Sequence, residues 1–222
     1  MSVMKELEVF QDLALRGPES GRSALRQALI DNAIAPWRHA EDEEEDLAAH
    51  AGGEADVVVF QRDAGDELHA AGLVLWSRSG GYEVTNIVPR EVRELGHAGY
   101  NALLQDFIDR VATPAAKQAG FSIETTSPQQ SLSDWLPPAA VDALRRFSAT
   151  ANKATGSSHP LDRTRWFAFL LSVHGATPPL DADRLARWLV EVEGWSDDKA
   201  HDLVVEYEFG LALLDEYDRN RS

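Results

Sequence analysis

The chain has 222 residues, 44% of them hydrophobic, with six tryptophans, no cysteine and a formal net charge of −16 at pH 7. That length and apolar content are enough to bury a real core, and the lack of cysteine excludes disulfide frameworks, thiolate catalysis and thiolate metal sites and suits a reducing cytosol. So negative a surface repels phosphate backbones and anionic lipid and no basic stripe offsets it, so no direct nucleic-acid or membrane binding is expected; the charge either serves solubility alone or attracts another protein that is basic.

The first residues, MSVMKELEVF, show no basic region followed by an apolar one, so no signal peptide is expected. The longest apolar run, Trp166 to Leu171, is far below the roughly 20 residues of a membrane helix. The expected setting is the cytoplasm, and the Ala- and Arg-rich, Lys-poor composition associates with a GC-rich bacterial source.

Glu6 to Arg16 places Leu7, Val9, Leu13 and Leu15 in alternation and reads as a strand, with an amphipathic helix as the alternative, closed by Gly17-Pro18. Ser20 or Ser23 can cap the next helix, in which Leu25, Leu29 and Ile30 recur at helical spacing and which ends near Ala35-Pro36. Six successive carboxylates, Glu41 to Asp46, repel one another and read as an exposed helix start or loop. They lack the glycine of a calcium loop, and no metal site is expected there.

Three strand candidates follow, Asp56 to Gln61, Ala71 to Trp76 and Tyr82 to Val88. The intervening Ala64-Gly65-Asp66 and Ser79-Gly80-Gly81 are hairpin-type turns, so an antiparallel meander is predicted. Leu103, Leu104, Phe107, Ile108 and Val111 form a helical stripe that Pro114 should end or kink. Phe121 to Thr126 returns to alternation and reads as a last strand, since no strand candidate remains after Ser127.

Asp134 to Pro138 opens a helix carrying Val141, Leu144 and Phe147. Asp162 is expected to cap the next, through Trp166, Phe169, Leu170 and Val173, closed by Gly175. Pro178-Pro179 and Asp181 introduce another with Leu185, Trp188, Leu189 and Val192, closed by Gly194. Ser196 caps the last, which is expected to bury Ala200, Leu203, Val204, Tyr207, Leu211 and Leu214. Trp188 and Trp195 read as core, and Glu206 and Glu208 as solvated face first and contacts for a basic partner second. The fold class is therefore α+β: residues 1–128 a mostly antiparallel sheet with covering helices, residues 129–222 an all-helical bundle of about four helices.

Between two apolar helices lies Ala151 to Trp166, in which ten of sixteen side chains are polar or charged. This stretch is either a solvated connector or a binding site built from Asn152, Lys153, Ser157, Ser158, His159, Asp162, Arg163 and Arg165. His159 is the candidate for acid–base work, although sequence neighbours rarely form a triad. The remaining histidines are scattered without metal-ligand spacing, and neither a Walker-type loop nor a G-x-G-x-x-G run is present.

Arg93-Glu94-Leu95-Gly96-His97-Ala98 follows Val88-Pro89 between a predicted strand and a predicted helix. It matches the R/Q-x-x-G-x-G/A signature of the GNAT acyltransferases, and the element order of residues 6–126 resembles the core of that family. The resemblance implies acetyl-CoA as cofactor, with Arg93, Gly96, His97 and Ala98 at its pyrophosphate and Val88 facing the acyl group. Two function classes stand side by side. The first is a non-catalytic, acidic bacterial cytosolic protein that binds another protein, of the antitoxin, immunity or phage-defence accessory kind, without a cofactor. The alternative is a GNAT-like N-acyltransferase, and a hydrolase centred on His159 is a third reading.

Overall fold

The computed structural model describes residues 5–51, 55–65, 67–176 and 179–221. Asp66 of the first predicted turn and Pro178 of the Pro178-Pro179 pair lie outside the described residues. The chain divides into two units, Glu8–Pro128 and Met1–Leu7 together with Gln129–Ser222. The fold class is α+β, with an antiparallel sheet and covering helices in the first unit and helices in the second.

The sheet unit runs through β1 (Leu13–Arg16), α1 (Arg22–Asn32), β2 (Trp37–His39), α2 (Glu41–His50) and β3 (Val57–Arg62). It continues with β4 (Ala71–Arg78), β5 (Gly81–Pro89), α3 (Gly96–Phe107), α4 (Thr113–Ala119) and β6 (Ser122–Thr125). The strand order is β2-β3-β4-β5-β1-β6, and every neighbouring pair is antiparallel. Period-two alternation puts Leu13, Leu15, Val58, Phe60, Leu73 and Leu75 on one face, where Leu25 and Leu29 of α1 and Leu103, Leu104 and Phe107 of α3 meet them. The ring of Phe107 sits 5.1 Å from Trp37 and 5.2 Å from Phe60. β1 enters between β5 and β6 across Gly81, whose φ is +150° and where a Cβ would lie 1.8 Å from the carbonyl oxygen of Leu15. Only glycine fits there.

Several expectations change in this unit. The strand predicted over Glu6 to Arg16 splits into a two-residue piece, Leu7–Glu8, and β1. Between them side chains complete the bonding: the Gln11 amide donates to Asn101 Oδ1 at 2.8 Å, Asn101 Nδ2 to the Val9 carbonyl at 2.8 Å, and the Asp12 amide to Thr126 Oγ1 at 2.8 Å, beside backbone bonds from the Val9 amide to Pro128 and from the Thr126 amide to Asp12. Neither Ser20 nor Ser23 caps α1, because a 3-10 turn over Glu19–Gly21 feeds straight into the helix and Gly21 is its cap residue. The strand β2 was not foreseen. Pro114 does not end its helix: it falls in the first turn of α4, directly after a π turn over Ile108–Ala112 that joins α3 to α4.

The acidic run is helical, as α2, but not all of it is solvated. Glu44 is buried and accepts hydrogen bonds from Arg26, from His39 Nε2 at 2.8 Å and from the Val59 amide at 3.2 Å. Burial pushes its carboxyl up, and the bonds from Arg26, His39 and Val59 outweigh that and hold it below its usual value. A like-charged run needs one member to find cations before it can rest against a strand.

In the second unit a single turn, α5 (Leu132–Trp135), precedes α6 (Pro138–Thr150), α7 (Pro160–Val173), α8 (Ala182–Arg187), a π turn over Trp188–Val192, and α9 (Asp197–Arg219). A two-residue strand at Gln129–Gln130 is one exception to the predicted lack of strands after Ser127. The capping box of Ser131 and Asp134 starts α5, Asp181 Oδ1 caps α8 at 3.0 Å from the Arg184 amide, and Ser196 caps α9. The core is an aromatic chain: Phe147 stacks on Trp195 at 5.4 Å, Trp166 lies 4.9 Å from Phe147 and 5.1 Å from Phe169, and Phe169 stacks on Tyr207 at 6.0 Å. Trp188 and Trp195 are buried, as their stripes predict. Two assignments are corrected. Asp162 does not cap α7, since His159 holds the cap position and Asp162 is buried in the first turn. Leu211 and Leu214 are half-buried, because α9 runs on past the Tyr207 end of the core.

Candidate functional site

The polar stretch from Asn152 to Arg165 joins α6 to α7 within the helical unit; Ser157 and Asp162 are buried, whereas Asn152, Lys153, Ser158, His159 and Arg163 are exposed. Asn152 Oδ1 accepts the Ala154 amide at 3.0 Å, which starts a tight turn through Gly156 at φ +61°. Lys153 Nζ donates to the Glu193 carbonyl and lies 6.0 Å from the ring centre of Trp195. The buried Ser157 directs its hydroxyl at both carboxylate oxygens of Glu206, at 2.6 and 2.8 Å. Asp162 pairs with Arg165 at 2.7 Å and accepts the Asn152 amide at 3.4 Å. His159 Nδ1 accepts the Leu161 amide at 3.3 Å, and Arg163 donates to the Ser158 carbonyl at 3.4 Å. The stretch thus brings all eight named residues into one connector that ties α6, α7 and α9 together. It does not join Ser157 to His159: the hydroxyl goes to a carboxylate and the imidazole nitrogen to a helix amide. Among the described residues no group of three His, Asp or Glu side chains is placed to hold a metal ion.

The Arg93 to Ala98 loop leads into α3, which starts at Gly96 with φ +62° and has no side-chain cap. A cleft of about 550 Å³ opens there, lined by Phe10, Asp12, Arg93, Glu94, Gly96, His97 and Tyr100 among others. Phe10 stands 4.1 Å from the His97 ring and 4.9 Å from Tyr100. Burial first, and the Asp12 carboxylate second, push the Tyr100 phenol up to about 12, so at neutral pH it is an uncharged hydroxyl. Val88, 49% exposed, and Ala98 are not part of the cleft lining.

A third feature was not foreseen from the sequence. Val205, Phe209, Leu213 and Tyr217 follow one another at four-residue spacing along α9, and each is more than half exposed, Phe209 by 70%. Phe167 and Leu171 do the same on α7, at 51% and 65%. The two helices meet where Gly210 lies against Leu170, so closely that a Cβ on Gly210 would sit 2.8 Å from Leu170 Cδ1. Helical periodicity places Leu170 and Gly210 between the buried and the exposed apolar side chains of their own helices, so both exposed rows open on the same outer side of the α7–α9 seam. The exposed Glu208 and Glu216 stand one turn from Val205 and Leu213, whereas Asp215 and Asp218 turn to His174, at 3.5 and 2.8 Å. The signal available in the sequence was the width of the apolar pattern on α9, which covers more than the single face that one core can bury.

Residues 136–207 match the model of a family described as a domain of unknown function (DUF1889). The matched span covers α6 to α8 and the first half of α9, ending at Tyr207, two residues before Phe209. Neither a curated protein nor a solved structure matches the chain.

Among the described residues no helix is long and apolar enough to cross a membrane.

Proposed function

We propose that this chain is a non-catalytic bacterial cytoplasmic protein that acts by binding another protein, of the antitoxin, immunity or phage-defence accessory kind, through the outer face of α7 and α9. The observation that carries this reading is the pair of exposed apolar rows meeting at one seam. A monomer does not normally leave a contiguous patch of that kind in water without a use for it. The net charge of −16 adds attraction for a basic partner and speeds the encounter. The test is a photo-crosslinking amino acid placed at Leu213 in the source cell, with the exposed Ala49 of α2 as the control position. The expected result is one protein captured from Leu213 and not from Ala49; no adduct from Leu213, Phe209 or Leu171 refutes the reading.

A second reading, a GNAT-like N-acyltransferase, is supported by the uncapped start of α3 opening into a cleft with Arg93 on its rim. The lining does not fit a pyrophosphate well, since Glu94 and Asp12 set two carboxylates against that one cation. Thermal unfolding with and without acetyl-CoA decides it. A ligand at about a hundred times its dissociation constant adds roughly 2.7 kcal/mol to native stability, and a shift of that order lost in Gly96→Glu would make this reading primary.

A further inference from the structure

Resting on the protein-binding reading, we infer that the outer α7–α9 face receives a single amphipathic helix with basic flanks, contributed by the partner protein. The shape of the face argues for a helix. Its α9 row runs from Val205 to Tyr217, about 18 Å at the rise of a helix, or about three turns of an incoming helix. The α7 row of Phe167 and Leu171 forms the opposite wall, and the side chain of Leu170 packs over Gly210 at the seam between the rows. Two apolar ridges set side by side accept side chains spaced at three and four residues, which is how grooves between helices take up a third helix. The six exposed side chains offer apolar area on the order of 500 Å², enough for the centre of such an interface.

Charge decides the chemistry of the occupant. Along its length α9 carries eight carboxylates against the two basic side chains Lys199 and Arg219, and both of these are already paired, with Asp202 at 2.7 Å and Glu216 at 2.9 Å. Glu216, 57% exposed, stands one turn from Leu213 on the side of the row, and the exposed Glu208 one turn from Val205, where added lysines or arginines meet them. A second copy of the chain is the wrong occupant for the same reason. Pairing α9 with α9 would bring like charges together on molecules that each carry −16.

The experiment uses three synthetic peptides of equal length: a Leu/Lys amphipathic helix, the same helix with Glu in place of Lys, and a scrambled Leu/Lys sequence without a continuous apolar face. Binding to the full chain is read by fluorescence anisotropy at low and high salt. The expected result is that only the first peptide binds, that salt weakens it, and that the double variant Phe209→Ser, Leu213→Ser weakens it about tenfold or more with an unchanged melting temperature. Equal binding of the scrambled peptide, or unchanged affinity in the double variant, overturns the inference. So does concentration-dependent self-association by ultracentrifugation that the double variant abolishes, because the occupant is then a second copy. If the peptides fail while crosslinking from Leu213 still captures one protein, the helical, basic occupant is wrong and the protein-binding reading stands; if crosslinking also fails, both fall.

Discussion

Replacing Asp106 with Ala should be among the most damaging single changes in the sheet unit. Asp106 Oδ2 accepts from Arg62 Nε at 2.9 Å and from Trp37 Nε1 at 2.8 Å, and Oδ1 accepts from Arg110 at 2.7 Å. The Arg62 side chain is only 7% exposed and Trp37 1%. Without the carboxylate, Arg62 keeps its bonds to the Asp63 and Leu68 carbonyls but loses its counter-charge, and the indole N–H is left buried without an acceptor. Removing one partner of a buried pair costs about 3–5 kcal/mol, and a stranded buried donor about 1–3. With the remaining bonds to Arg62 offsetting part of this, about 4 kcal/mol is expected, a fall of about 10 °C or more in the melting of this unit.

The same carboxyl gives the reasoning a second check. Burial pushes it up, and the hydrogen bonds from Arg110, Arg62 and Trp37 outweigh burial and hold it below the ordinary value of 3.8. A depressed folded pKa means that this increment is present above 3.8 and is lost as pH falls below it towards the folded value. The wild-type advantage over Asp106→Ala in urea titrations should therefore narrow as pH falls below 3.8. A double variant, Arg62→Met with Asp106→Leu, should recover much of the loss, since no charge is then left buried. A cost below about 1 kcal/mol for Asp106→Ala, or a gap that widens on acidification, would refute the reading.

Two further changes separate backbone geometry from polar pinning. Gly81→Ala puts a Cβ 1.8 Å from a backbone oxygen and should cost above about 3 kcal/mol, whereas Gly120→Ala, at φ +74° with nothing within 4 Å, should cost only about 1–2; equal melting temperatures for the two would contradict the close approach of β1 to β5. Ser157→Ala should destabilise the helical unit by about 1 kcal/mol, read as a lower urea midpoint, because the hydroxyl bond to Glu206 is lost while the exposed carboxylate regains water. No change in that midpoint would mean the connector is not held by this bond.

Much of the architecture was legible because it is local. The meander of β3, β4 and β5, the helices α6 to α9 and the caps at Asp181 and Ser196 follow from periodicity and from side chains that bond within a turn of themselves. The polar stretch and the Arg93 loop were visible as departures from periodicity, but what their atoms touch was not, because Ser157 finds Glu206 forty-nine residues away and Asn101 reaches Val9 across ninety-two.

The sequence by itself determined most of the helices and the strands of the meander, though not β2 or the strand at Gln129–Gln130, and that both units have apolar faces to bury, since those depend on residue type at short spacing. Tertiary structure alone decided that β1 lies between β5 and β6, that Glu44 is the buried carboxylate of an acidic run, and that α9 buries Leu203 and Tyr207 while leaving Phe209 and Leu213 in water. Each of these turns on which surface arrives opposite another. A helix with apolar residues around more than one side satisfies its own periodicity equally well whichever side is covered, so only the placement of its neighbours selects the face left for a partner.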